Sequence, residues 1–421
     1  MNPIVNSDRL LKELRTLATF SEPAAEGAEK PGDTAVTRIV FTKRDQEARA
    51  WLAAQAAAAG LSIHADAVGN TFFHWQGSEP DLPAIATGSH IDAIPNAGMY
   101  DGTVGVLGGL EAIRALQSSS FQPKRSIELI LFTSEEPTRF GIGCLGSRVL
   151  SGALTAAAAA KLRDKADRTL DEARHAAGFI APLDSAQLCP GHYAHFVELH
   201  IEQGPILEHE GQDIGIVTAI AAPASSRITI QGEGGHAGAM LMPIRKDALA
   251  AAAEVILSVE AAALATGAID TVATVGMCDV FPGAVNSVPG RVRLSLDVRD
   301  IDEARRDKVL ADIQKACEAT AAKRHVTITT EVVNADAPAS CSATILEAIS
   351  QACAEEAITS QRMVSRAYHD SLFMARICPI AMIFIPSRGG VSHRPDEFST
   401  AESIAQGTRI LAKTLATLSS L

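Results

Sequence analysis

Nowhere in the 421 residues is there a run of about 18 uninterrupted apolar residues, the length a membrane-spanning helix needs. A long basic stretch is also missing and the formal charge is −12, which argues against a nucleic-acid partner. The seven cysteines (Cys144, Cys189, Cys278, Cys317, Cys341, Cys353 and Cys378) are scattered and never form CxxC. Neither a thiolate zinc cage nor a disulfide frame is therefore suggested, and a reducing compartment is expected. The opening residues, MNPIVNSDRLLKELRTLATFSE, lack the basic, apolar and cleavage regions of a signal peptide. Internal repeats and flexible Pro/Gly/Ser linkers are absent too. The expectation is a soluble cytoplasmic protein without membrane or nucleic-acid partners.

Hydrophobic residues make up 47% of the chain, enough for a large core, and the length suits two or three compact units. After a helical start, RDQEARAWLAAQAAAAG reads as helix, followed by an extended run and a tight Gly-Asn turn at Gly69–Asn70. PAIATGSH and SIELILFTSEEP read as buried strands, each followed by a helix, VGVLGGLEAIRALQ and GCLGSRVLSG. This alternation predicts an α/β fold with a mixed, mostly parallel sheet flanked by helices. The alanine run Ala156–Ala160 reads as part of a helical hairpin.

Near Ile216 the texture changes. SSRITIQGEGGHAG, DTVATVGMCDV, GRVRLSLDVRDID and HVTITTEVV alternate as half-exposed strands, interleaved with two helical stretches. They predict an inserted α+β domain with an antiparallel sheet over 217–333, the catalytic domain being 1–216 and 334–421.

Four polar clusters end apolar runs: His90, Asp92 and Asp101; Glu135 and Glu136; Glu198, His200, Glu202 and Gln203; His393 and Glu397. Singly, each is an ordinary polar loop. Together they fall where α/β sheets bind ligands, beyond the carboxyl ends of the strands. Three imidazoles with carboxylates and no thiolate suit Zn, Mn, Co or Ni. A carboxylate able to bridge would make the site binuclear. Of the adjacent acids Glu135 and Glu136, one can ligate while its neighbour takes a proton from the attacking water.

The set HxD, YDG eleven residues after that His, EE, a distal ligand and a C-terminal His resembles the M20 family of co-catalytic metallopeptidases and amidases. ELHIEQGP, GGHAG and SHxxxE resemble its hydantoinase/carbamoylase branch, and the likeness runs over nearly the whole chain. The resemblance implies two divalent ions, manganese first, with His90, Asp101 and His200 holding one. Asp101 would bridge to the other, completed by Glu136 and His393. It implies Glu135 as general base and Asp92 as the acid that orients His90. His236 would stabilise an oxyanion, acting on the neighbouring subunit of a homodimer formed through the inserted domain. Asn286 and Arg299 would hold a substrate carboxylate, also across that dimer, with Gln203, Tyr368 and His369 as further substrate contacts. Glu198, Glu202 and Glu397 are left to support loops. The implied reaction is hydrolysis of a ureido C–N bond in a small carboxylate. SRAYHDS, where carbamoylases and allantoate-cleaving members carry SGAGHDA, favours (S)-ureidoglycolate over allantoate, N-carbamoyl-L-amino acids or β-ureidopropionate. Closure of the inserted domain on hinges near 215–218 and 331–335 is implied as well.

Overall fold

The computed structural model describes residues 3–23 and 34–421. Residues 1–2 and 24–33, counted with the catalytic domain from sequence, lie outside the described residues. The chain divides into two compact units. The first comprises Met1–Thr218, Cys341–Ser365 and His369–Leu421; the second comprises Ala219–Ser340 and Arg366–Tyr368. Among the described residues no helix is long and apolar enough to cross a membrane.

The main sheet of the first unit contains β1 (Ser62–Ala65), β2 (Thr71–Trp75), β3 (Ala84–His90), β4 (Ile127–Phe132), β5 (Tyr193–Ile201), β6 (Ile214–Ile220) and β7 (Ile380–Ile385). Their order is β6-β7-β5-β3-β4-β2-β1. Pairing is parallel among β7, β5, β3 and β4, and antiparallel where β6, β2 and β1 extend the edges. The sheet is mixed, as expected from sequence, with its parallel pairs at the centre. Every residue of β4 and β7 is buried, as in strands covered on both faces. The helix Thr103–Ser118 is apolar nearly all round and is itself core, packed with the closing helix Ala401–Ser419. A short strand not anticipated from sequence, Ala93–Ala97, pairs with Val36–Arg38 between β3 and that helix.

Parallel pairing has a positional consequence: β3, β4, β5 and β7 all end on the same side of the sheet. His90 lies opposite Phe132, and His200 opposite Phe384. The polar clusters that follow these strands therefore start from one edge.

In the second unit Val272–Thr274, Arg291–Asp300, Ala222–Gln231 and Thr327–Ala335 form an antiparallel sheet in that order. Arg291–Asp300 alternates strictly, burying Val292, Leu294, Leu296 and Val298 against the helices Ala248–Leu264 and Glu303–Arg324. Asp247 and Asp302 cap these helices by accepting backbone N–H groups of the first turn. The single strand expected over DTVATVGMCDV is two, Val272–Thr274 and Cys278–Phe281, each paired with a different part of Arg291–Asp300. The boundary expected after residue 333 lies later, because Thr327–Ala335 keeps pairing with Ala222–Gln231 as far as Ala335. The excursion Arg366–Tyr368 was also not expected. Arg366 pairs with Asp270 at 2.6 Å, and its carbonyl accepts from Arg299 at 3.3 Å.

The Gly-Asn turn between β1 and β2 reaches the acidic loop directly. Asp66 accepts the N–H groups of Val68, Gly69 and Asn70, and its other oxygen accepts from the Asn70 amide at 2.7 Å. Buried Asn70 then accepts from the Thr133 N–H at 2.9 Å and donates to the Gly146 carbonyl at 3.2 Å. Asn70→Ala leaves both peptide groups buried without that partner. We expect a stability loss of about 2–6 kcal/mol, at about 1–3 for each unpaired group, read as a lower urea midpoint with unchanged slope.

Candidate metal centre

His90 closes β3, and its Nδ1 donates to the Asp92 peptide oxygen at 3.0 Å. His200, next to last in β5, does the same to the Ile201 oxygen at 2.9 Å. These bonds orient each ring so that Nε2 points into the site, where the deprotonated nitrogen can ligate. Both Nε2 atoms face Asp101 Oδ1, His90 at 3.5 Å and His200 at 3.2 Å. Gly102 makes this approach possible: at φ +66, a Cβ there would stand 2.4 Å from His90 Nε2. On its other oxygen Asp101 faces His393 Nε2 at 3.4 Å and accepts from Gln203 Nε2 at 2.7 Å and Ser392 Oγ at 2.8 Å. Glu136 Oε1 lies 3.2 Å from the same His393 nitrogen. Two potential ligand triads result, His90–Asp101–His200 and Asp101–Glu136–His393, each with its ligand atoms within 4.8 Å of one another. Asp101 belongs to both.

The Asp92 carboxylate lies 3.6 Å from His90 Nδ1, farther than its own peptide oxygen. Its two oxygens instead accept the N–H groups of Glu135 (3.2 Å) and Glu136 (3.0 Å). Asp92 orients His90 through its backbone and holds the glutamate turn through its side chain. Glu135 Oε2 then sits 3.7 Å from His90 Nε2, while Oε1 accepts from Cys144 Sγ at 3.3 Å. Burial and the neighbouring Glu136, Asp370 and Asp101, offset in part by His90, hold the Glu135 carboxyl well above the usual range. Against burial, Glu135, Asp101 and Asp92 hold His90 well above its ordinary value.

Several contributors carried no distinguishing sequence signal. Cys144 reads as core, and Ser392 is one serine among many. Glu198 is fully buried and accepts from Ser89 Oγ, Ser371 Oγ and Ser371 N. Glu198, His200 and His369 also cluster within ligand distance, as a third group beside the two triads. His369 is buried, its ring 4.5 Å from that of His200, and its Nε2 meets Ser365 Oγ at 3.1 Å. Burial and His200 push its pKa well below the ordinary value.

The remaining expected substrate residues lie in the second unit. His236 is exposed in a two-residue strand paired with Ser287–Val288, and the Asn286 carbonyl accepts from Ala237 N at 2.9 Å. His236 and Asn286 are therefore close neighbours. Arg299 donates to Asp297 at 2.7 Å, and its guanidinium lies 5.8 Å from the Tyr368 ring centroid.

The donor set suits divalent cations. Asp92, Asp101, Glu135 and Glu136 are all buried, and among the described residues no lysine or arginine ion pair reaches them. Buried carboxylates whose close cationic partners are imidazoles alone favour additional positive charge. Hard divalent ions with oxygen and imidazole ligands would supply it.

A model of the peptidase family M20/M25/M40 matches residues 86–417. The chain is 50% identical to a ureidoglycolate hydrolase of Arabidopsis thaliana, covering 99% of this chain and 87% of that one. It is 38% identical to an N-carbamoyl-L-amino acid amidohydrolase of Geobacillus stearothermophilus, covering 98% of each. A crystal structure of AtUAH in complex with glyoxylate matches with a TM-score of 0.87 at 49% identity, covering 99% of both chains.

Metal uptake should stabilise the fold. Adding Mn²⁺ to chelator-stripped protein should raise Tm, with a gain of about 2.7 kcal/mol at a hundredfold excess over Kd. Asp101→Ala, which removes the shared ligand, should abolish that rise in the same calorimetric scan.

Proposed function

The chain belongs to the peptidase family M20/M25/M40, as an amidohydrolase, and on that premise we propose that it hydrolyses (S)-ureidoglycolate with two Mn²⁺ ions. With one water consumed, the products are glyoxylate, carbon dioxide and two ammonia. The observation that carries the chemistry is Asp101, shared by two ligand triads with Glu135 alongside. The choice of substrate is supported by 50% identity to a ureidoglycolate hydrolase over almost the entire chain.

His90, Asp101 and His200 would hold one ion, and Asp101, Glu136 and His393 the other. When bound, such ions polarise a carbonyl and lower the pKa of water from 15.7 to about 7. A ureido carbonyl is a poor electrophile because both nitrogens donate into it, so polarisation alone does not suffice. Glu135 takes the proton of the attacking water and delivers it to the leaving nitrogen. Asp92 keeps that carboxylate in place through the peptide groups of the glutamate turn. Gln203 donates to Asp101, while its Oε1 is buried without a partner among the described residues, which suits that oxygen to accept a ureido N–H. Loss of ammonia and carbon dioxide leaves a hemiaminal acid, which collapses to glyoxylate and the second ammonia.

Arg299 and Asn286 would bind the substrate carboxylate, the planar guanidinium matching its two oxygens. His236 would donate to the tetrahedral oxyanion, where one good donor contributes about 2.7–4 kcal/mol. A homodimer in which His236 serves the neighbouring subunit accounts for its exposure.

The test is a substrate panel on Mn²⁺-reconstituted protein, scored by ammonia release. Ureidoglycolate should exceed allantoate and N-carbamoyl-L-amino acids in kcat/KM by at least about tenfold, a difference of about 1.4 kcal/mol in transition-state binding. Turnover of an N-carbamoyl amino acid without turnover of ureidoglycolate would overturn the substrate assignment. Glu135→Gln should lower kcat about 10²–10⁴-fold while metal content stays at the wild-type level. Loss of metal in that variant would make Glu135 a ligand instead of the base.

A further inference from the structure

Glu397 is buried, four residues after His393, and lies outside both ligand triads. Its Oε1 accepts two successive backbone N–H groups, Tyr100 at 2.9 Å and Asp101 at 3.0 Å, from a loop 296 residues away for the nearer pair. Its Oε2 meets Ser392 Oγ at 3.0 Å, and that hydroxyl lies 2.8 Å from Asp101 Oδ2. Ser392 immediately precedes His393, whose own backbone is left-handed at φ +59. One carboxylate therefore ties the loop carrying Asp101 to the loop carrying His393.

The close approach is specified from the other side as well. At Gly98 an added Cβ would stand 2.3 Å from Glu397 Cβ and 2.5 Å from its Oε1. Only a residue without a side chain leaves room for the clamp. The His393 side chain is 46% exposed, whereas His90 and His200 are buried at the strand ends. His393 thus has little packing to place it, and bonds within its loop must do so instead.

We infer that Glu397 is a positioning residue that sets the spacing between Asp101 and His393, and so governs affinity for the ion held by Asp101, Glu136 and His393. The inference rests on the two-metal reading of the site. Hydrogen-bonded supports of this kind typically change metal affinity 10–100-fold when removed. The role needs two acceptor bonds on Oε1 and a link to Ser392, and it does not need a negative charge. Glutamine preserves both: its oxygen accepts the two N–H groups, and its amide donates to Ser392 Oγ.

The experiment is calorimetric titration of the chelator-stripped full chain with Mn²⁺, using wild type, Glu397→Ala, Glu397→Gln and Ser392→Ala, with His393→Ala as marker of the affected ion. Glu397→Ala should weaken one of two ions by about 10–100-fold, the same ion that His393→Ala removes. The other ion should stay within about twofold, Glu397→Gln should bind both as wild type does, and excess Mn²⁺ should restore kcat in Glu397→Ala with KM unchanged. Should Glu397→Ala fail to fold, Ser392→Ala cuts the same link and carries the same expectation. Wild-type affinity in both Glu397→Ala and Ser392→Ala overturns the inference, as does equal loss of metal in Glu397→Gln and Glu397→Ala. A wild type that takes up fewer than two ions would overturn the two-metal reading itself.

Discussion

Asp101 is a buried carboxylate facing three imidazole nitrogens, with no lysine or arginine ion pair among the described residues. An ionised carboxylate in that position costs several kcal/mol unless its surroundings provide positive charge and hydrogen bonds. Much of the first unit's polar architecture answers that requirement. Peptide oxygens orient the rings of His90 and His200, Gln203 and Ser392 donate to the outer oxygen, and Glu397 holds the peptide on which Asp101 sits. Gly102 lets the loop pass His90 closely enough for the geometry to exist.

The sheet decides where this arrangement can occur. Four parallel strands end on one edge, and each contributes a polar segment just beyond the point where its apolar run stops. Their buried hydrophobic sequences pack on both faces and form a rigid base. The ligands come from loops, but their anchors are strand termini and buried caps. Asn70 and Asp92 show the pattern most clearly: both spend their hydrogen bonds on the backbone of the segment Thr133–Glu136.

The secondary structure was legible where one physical signal dominated. The buried runs of β3, β4 and β7 and the alternating strand Arg291–Asp300 follow directly from hydrophobic periodicity. Signals weakened at breaks. DTVATVGMCDV alternates throughout, yet its backbone pairs in two separate pieces. Thr327–Ala335 continues past the expected domain boundary because register with its neighbour, which local composition does not encode, keeps its backbone bonded. Arg366–Tyr368 joins the second unit through Asp270 and Arg299, partners far away in sequence.

Residue type and spacing determined which side chains could make a metal site: three histidines and several acids, each closing an apolar run, without cysteine among them. The likeness of those motifs to an amidohydrolase family pointed to the chemistry. Tertiary structure decided how the polar residues divide their work. Asp92 turned out to steer His90 with its peptide oxygen and the two glutamates with its carboxylate, a distinction of 0.6 Å that no motif expresses. Glu198 spends its carboxylate on serines, whereas Glu397 clamps Asp101. In sequence these are equivalent glutamates near a histidine. Their roles part because each carboxylate bonds to whatever donors the fold brings within about 3 Å, and those donors come from segments hundreds of residues away.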